Sequence, residues 1–209
     1  MKDIESNTTG IFQTPVYTTE LRKKFSKKEL DFIINHDKDS RAKIGLNPKS
    51  TLLAKRNFGS ENKHVLDQKQ FKNLKKELEL ILQDYFDKII CPANDIVPYI
   101  TQSWLNYSEP GKFKVKIYSI DMKNVNLDKI SFVNHDYKMI RPEVKEYNVF
   151  NSVQWTIPVK TNDVILFPSS LPHFVPPNEG DKIRISLSFN TFIKGTVGLM
   201  NSATGLILK

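Results

Sequence analysis

Asn162-Asp163-Val164-Ile165-Leu166-Phe167-Pro168-Ser169-Ser170-Leu171-Pro172-His173-Phe174-Val175, followed by Lys182-Ile183-Arg184-Ile185-Ser186-Leu187-Ser188-Phe189-Asn190, is the stretch that decides how this chain folds. Thr161-Asn162-Asp163 reads as a turn, Val164 to Phe167 as a buried strand, Pro168 to Pro172 as a corner and His173 as the start of the next strand. In the following segment alternate side chains fall on opposite faces of a strand. Ile183, Ile185, Leu187 and Phe189 share one face; Arg184, Ser186, Ser188 and Asn190 share the other. No helix of useful length separates these strands, so they belong to an antiparallel sandwich or barrel and not to a parallel sheet with crossover helices.

Working back from that stretch, period two governs the chain from residue 96 onward. The strands expected are Pro98 to Tyr107, Lys112 to Asp121, Lys129 to Val133, Ser152 to Val159, Asp163 to Phe167, His173 to Val175 and Lys182 to Phe192. Before them Phe71, Leu74, Leu78, Ile81, Leu82, Tyr85, Phe86 and Ile89 form one stripe at helical spacing, with Asp67 and Gln70 as start signals and Cys91-Pro92 as the stop. A stripe so wide needs a cover, and the apolar face of the last strand is the expected one. Ser26 followed by Glu29 is the capping-box pattern of a shorter helix, and Thr9 to Tyr17 alternates like an edge strand confined by Pro15. Asp37 to Glu61 is polar, contains Gly45, Pro48 and Gly59, and reads as an irregular excursion. The expected organisation is a single domain over 1–209, with a helical N-terminal elaboration over 1–95 and a β core over 96–209.

Composition narrows the function classes. No run approaches the eighteen apolar residues a membrane span requires, and the start of the chain has no apolar run of a secretory signal, so a soluble cytoplasmic protein is expected. The net charge of +8 invites a polyanion partner, but the lysines are mixed with acidic neighbours and carry no recognition motif. The lone Cys91 has no metal-ligand companion and reads as a small half-buried apolar residue.

The residues suited to chemistry lie on the deciding stretch. A guanidinium among small hydroxyl side chains is the composition of a cavity floor, because it can hold a carboxylate through two parallel hydrogen bonds. The competing reading is a solvated face with Arg184 in a surface ion pair. His173, held after a rigid corner beside the strand bearing Arg184, has the fixed aim a metal ligand needs, although a lone histidine is more often structural. His36 and His64 lie in polar segments and read as surface residues.

Asp163-Val-Ile-Leu-Phe-Pro-Ser-Ser-Leu-Pro-His173, with Arg184-Ile-Ser-Leu-Ser-Phe-Asn190, resembles the distal half of the 2-oxoglutarate and Fe(II)-dependent oxygenases, in particular those of phages of marine bacteria. Gln102-Ser103-Trp104-Leu105-Asn106-Tyr107-Ser108-Glu109-Pro110-Gly111 resembles a second hallmark of that family, and Phe12-Gln13-Thr14-Pro15 and the helix around Asn73-Leu74 also fit, so the likeness covers nearly the whole chain. The resemblance implies a mainly β fold, a double-stranded β-helix or cupin-like jelly roll with N-terminal helices packed on the sheet. It implies His173 as the distal iron ligand, Arg184 on the far carboxylate of 2-oxoglutarate, and Ser186 and Asn106 as further cosubstrate residues. The cofactors implied are Fe(II) and 2-oxoglutarate; within such an oxygenase the basic surface suggests a peptide or a nucleic acid as substrate, and the expected location is the cytoplasm, that of the host if the chain is phage-encoded.

One departure stands against catalysis. Such iron sites use two histidines and a carboxylate on one face, and the family's proximal His-x-His has no counterpart after Pro110-Gly111, where Lys112 to Asp121 contains no histidine. The segment before Asp128 is shorter than the family pattern by about nine residues, the length of one strand and its turn. Asp121 is alone, and His135-Asp136 are adjacent, so on a strand they point to opposite faces. Two functions are therefore expected in competition: an oxygenase that hydroxylates a C–H bond as the cosubstrate is decarboxylated, or a degenerate pseudoenzyme acting as a jelly-roll binding or phage structural protein.

Overall fold

The computed structural model describes residues 7–36, 57–93, 95–108, 128–134, 143–180, 182–199 and 203–209. It is mostly β with antiparallel sheets and few helices. Two compact units are present, one formed by Met1–Thr19 and Leu127–Pro176, the other by Glu20–Asn126 and Pro177–Lys209.

The second unit is organised by two long strands. β3 (Val97–Ser108) and β8 (Arg184–Val197) are the middle of a four-stranded sheet ordered β2-β3-β8-β9, with β2 (Asn57–Gly59) and β9 (Leu206–Leu208) outside them. The pairing is antiparallel, with Ser108 opposite Arg184, Asn106 opposite Ser186, Trp104 opposite Ser188 and Leu105 opposite Leu187. A register shift between Ile100 and Gln102 leaves Thr101 as the extra residue of a bulge. One inserted residue exchanges the two faces of a strand, which is why the buried positions run Pro98 and Ile100 before it but Ser103, Leu105 and Tyr107 after it. β8 continues past the expected Phe192 to Val197.

The core of this unit lies between β3 and α2 (Lys72–Tyr85). Phe71, Leu74, Leu78, Leu82 and Tyr85 are buried together with Val65, Leu66, Ile100, Leu105 and Tyr107. Burying each such side chain contributes about 1.5–3 kcal/mol before entropy is set against it. The helix is thus laid over β3, the strand beside the one expected. Asp67 does not cap it: two short 3₁₀ turns, Val65–Asp67 and Lys69–Phe71, lead in, and Asp67 instead accepts from Lys75 Nζ at 2.7 Å. The apolar stripe ends at Tyr85 because a π-helical turn, Phe86–Ile90, changes the angular phase and leaves Ile89 exposed. Cys91 then takes left-handed backbone and is exposed, not half-buried, its thiol lying near the carbonyls of Asp87 and Lys88.

α1 (Lys27–Asn35) has the expected capping box: Ser26 Oγ accepts from the Glu29 N–H and Glu29 Oε2 accepts from the Ser26 N–H. Glu29 is 1% exposed and also pairs with the Lys23 ammonium. Burial alone would raise its pKa, but the hydrogen bonds from Lys23 and Ser26 outweigh it and hold the carboxyl below its ordinary value. The Tyr107 hydroxyl reaches the carbonyls of Ile33 and His36 at the end of the same helix, 2.9 and 3.1 Å away. β2 corrects the expectation of an irregular excursion through Glu61, for Asn57–Gly59 pairs with Asn106 to Ser108.

In the first unit β5 (Gln154–Val159), β4 (Asp128–Val133) and β7 (His173–Phe174) form one antiparallel sheet in that order, and β1 (Tyr17–Glu20) pairs with β6 (Asp163–Leu166). The opening strand therefore begins where it was expected to end. Phe12 takes a φ of +57°, which breaks extended backbone within Thr9 to Tyr17. The turn before β6 is made by Asn162 at φ +78° and by Asp163, whose Oδ2 accepts from the Lys160 N–H at 2.8 Å. The strand expected over Lys112 to Asp121 lies outside the described residues.

Candidate functional site

In an antiparallel pair, residues directly opposite each other stand on the same face. The register of β3 with β8 therefore places Ser108, Asn106 and Trp104 on one face with Arg184, Ser186 and Ser188. This is the face away from the core, since Ser103, Leu105 and Tyr107 of β3 are buried and its intervening residues are only partly covered. The two-face sorting of β8 thus holds, and β3 adds a second polar row.

The polar side chains on this face orient one another. Arg184 Nη2 donates to Ser108 Oγ at 3.2 Å. Asn106 Nδ2 donates to Ser188 Oγ at 2.8 Å, and Asn106 Oδ1 accepts from Trp104 Nε1 at 3.1 Å. Indole N–H can only donate, so the Asn106 atom facing it is the oxygen, which settles the amide orientation. Behind Ser108, the buried Asn178 donates from Nδ2 to the Ser108 carbonyl at 2.8 Å and to the Lys182 carbonyl at 2.7 Å, and its Oδ1 accepts from the Gly180 N–H at 3.0 Å. Asn178 fastens the approach to β8 against the end of β3, where Arg184 and Ser108 meet.

Around His173 the first unit is aromatic. The residue across from it on β4 is Phe132, and across from Phe132 on β5 is Trp155, so the three share a face. The Phe167 ring meets the imidazole edge-on with centroids 4.6 Å apart. The His173 Nδ1 lies 3.0 Å from the Leu171 carbonyl. A carbonyl only accepts, so in the neutral ring the hydrogen is on Nδ1 and the lone pair is on Nε2, the arrangement of a metal-ligating histidine. The corner that delivers it is closed by Leu171 N–H to Pro168 O at 2.9 Å, and the Pro172 carbonyl accepts from Val133 N–H at 2.9 Å.

A family model described as "Putative 2OG-Fe(II) oxygenase" matches residues 114–190. The matched segment is less than half of the chain; it contains His173, Arg184 and Ser186, while Asn106 precedes it. No curated protein matches the chain.

The family name couples two groups, and the residues suit them unequally. For 2-oxoglutarate the donor set is suitable: a guanidinium, hydroxyls and an amide are the groups that hold a carboxylate. For Fe(II) the described residues do not suffice, because among them no cluster of three His, Cys, Asp or Glu side chains could hold a metal ion. Asp121, His135 and Asp136 lie outside the described residues. His64 pairs with Asp67 at 3.3 Å and is exposed, and His36 stacks on Phe32.

Of the residues singled out from sequence, Arg184, Ser186 and Asn106 are therefore brought onto one sheet face, and His173 belongs to the other unit. The expectation that its strand runs beside that of Arg184 is corrected by the pairing: β7 bonds to β4, and β8 bonds to β3 and β9. Sequence reasoning missed Ser108 and Asn178. Ser108 was accessible, since it follows Asn106 by one strand repeat; Asn178, in a proline-flanked loop, gave no signal.

Proposed function

We propose that the chain is a 2-oxoglutarate/Fe(II) oxygenase of the double-stranded β-helix type, in which Arg184 takes the far carboxylate of 2-oxoglutarate, Ser186 and Asn106 border the cosubstrate, and His173 offers Nε2 as an iron ligand. The observation that carries this reading is the β3–β8 face. The Arg184 guanidinium, the one that the described residues place on it, is oriented by the Ser108 hydroxyl at 3.2 Å and stands across and along the sheet from hydroxyl and amide side chains. Such a face gives a planar fork of donors to the planar carboxylate at the far end of the dianion, at about 1.5–3 kcal/mol for each charge-assisted bond. Were Fe(II) bound, His173 Nε2 would be one of its ligands and the metal would supply the activation of oxygen; the described residues alone do not complete its site, and the part they support is the seating of the cosubstrate. The match of residues 114–190 supports the same reading at family level. No transmembrane helix is found among the described residues.

A second reading, a non-catalytic jelly roll that keeps the acid-binding face, is favoured by the histidines themselves: the chain has four, and none forms a His-x-His. One titration separates the two. Under anaerobic conditions, Fe(II) added with 2-oxoglutarate should produce the weak visible charge-transfer band of a chelated complex, and His173→Ala should abolish it. A wild-type protein that binds 2-oxoglutarate but develops no band is the binding protein, and a band that survives His173→Ala overturns the ligand assignment.

A further inference from the structure

The sheet face that carries Arg184 holds a second cationic feature at its opposite margin. Gly59 lies across from Asn106 in the β2–β3 pairing, so a side chain at position 59 would project on the same face as Asn106. A methyl group there would stand 3.7 Å from Asn106 Oδ1, 3.7 Å from Lys63 Nζ and 3.8 Å from Trp104 Cδ1. Two neighbouring side chains of β3 and the ammonium of Lys63, just after β2, thus border one spot that glycine leaves without a side chain.

Each is held in place. Lys63 Nζ donates to the Ser60 carbonyl at 2.7 Å and lies 5.9 Å from the centre of the Trp104 ring. That bond uses one of three ammonium hydrogens. The indole is tied to Asn106 Oδ1, and the Asn106 amide is tied to Ser188. Asn106 Oδ1 has a second lone pair, and it borders the spot above Gly59.

We propose that Gly59, Lys63, Trp104 and Asn106 form a subsite for a carboxylate whose neighbouring carbon bears an O–H or N–H, that is, an α-hydroxy or α-amino acid group of the co-ligand. The Lys63 ammonium meets the carboxylate, Asn106 Oδ1 accepts from the adjacent hydroxyl or amine, and the Trp104 edge covers the carbon between them. The subsite rests on the reading of the β3–β8 face given above and names a substrate class for it. It is separate from the seat on Arg184. One strand repeat along and two strands across set the backbone positions of Gly59 and Arg184 on the order of 10 Å apart, and keeping 2-oxoglutarate saturating in the test below fills the Arg184 seat so that a second ligand is read by itself.

The test uses glycolate and acetate as probes on full-length protein saturated with 2-oxoglutarate, following the indole N–H resonance of Trp104, assigned by its persistence in Trp155→Phe. Glycolate should shift that resonance saturably, and acetate, lacking the donor, should bind about tenfold more weakly, the worth of one hydrogen bond. Lys63→Met should remove the response. Gly59→Ala should also remove it while leaving the fold intact, since its methyl group meets only ordinary van der Waals contacts. An unmoved resonance in wild type, equal affinity for the two probes, or a full response in either variant overturns the subsite. Absence of 2-oxoglutarate binding alongside a glycolate response would remove the Arg184 assignment and leave this one standing.

Discussion

The two faces of the β3–β8 ribbon are built from the same strands, yet one is closed and the other is polar. Ser103, Leu105 and Tyr107 are buried on the closed face, and their polar atoms are spoken for: Ser103 Oγ accepts from the Leu66 N–H at 2.8 Å, and the Tyr107 hydroxyl reaches the end of α1. On the other face Trp104, Asn106, Ser108, Arg184 and Ser188 hold one another through hydroxyl and amide groups and are covered only in part. The difference teaches that stability and recognition are divided by strand alternation. A substitution one residue along moves the effect from one property to the other.

The largest effect expected from this division is on the closed face. Leu105→Ala, at a position 1% exposed, should lower the unfolding free energy by about 2–5 kcal/mol through lost burial and a cavity under α2. Chemical denaturation would measure it. A cost below about 1 kcal/mol would mean that Leu105 lies outside the core and that the faces are not so divided.

A smaller effect should appear with acid. Glu29 caps the helix against which Tyr107 leans, and its carboxyl is held below the ordinary value by Lys23 and Ser26. Because the folded value is the lower one, the stabilisation is present above the unfolded value and is lost as pH falls through the folded value. Urea midpoints from about pH 6 down to about pH 3 should therefore fall less steeply in Glu29→Gln than in the wild type. Parallel curves would show that Glu29 is not coupled to folding.

How much of this was legible in the sequence follows the same physics. Alternation in Ile183 to Asn190 was enough to divide β8 into two faces, because side-chain direction on a strand is a local property. The capping box at Ser26 and Glu29 was equally local. What escaped depended on pairing or on a local break in periodicity. Asn57-Phe58-Gly59 is too short to show a period and becomes a strand only by pairing with β3. The bulge at Thr101 and the π turn after Tyr85 each shift the phase by a residue, which a fixed-period reading carries past the break. The approach of Lys63 to Asn106 and Trp104 beside Gly59 exists only once β2 is in register, and the division of His173 and Arg184 between sheets is a matter of topology that neither strand encodes alone.

The smallest effect on stability, and the largest on recognition, should come from Arg184. Calorimetric titration of 2-oxoglutarate into wild-type protein and into Arg184→Lys tests the account most directly, since lysine keeps the charge but loses the planar fork. Saturable binding by the wild type is expected, with a loss of affinity of at least about tenfold in the variant and an unfolding midpoint nearly unchanged. Equal affinity in the two proteins, or no binding by the wild type, would contradict the account.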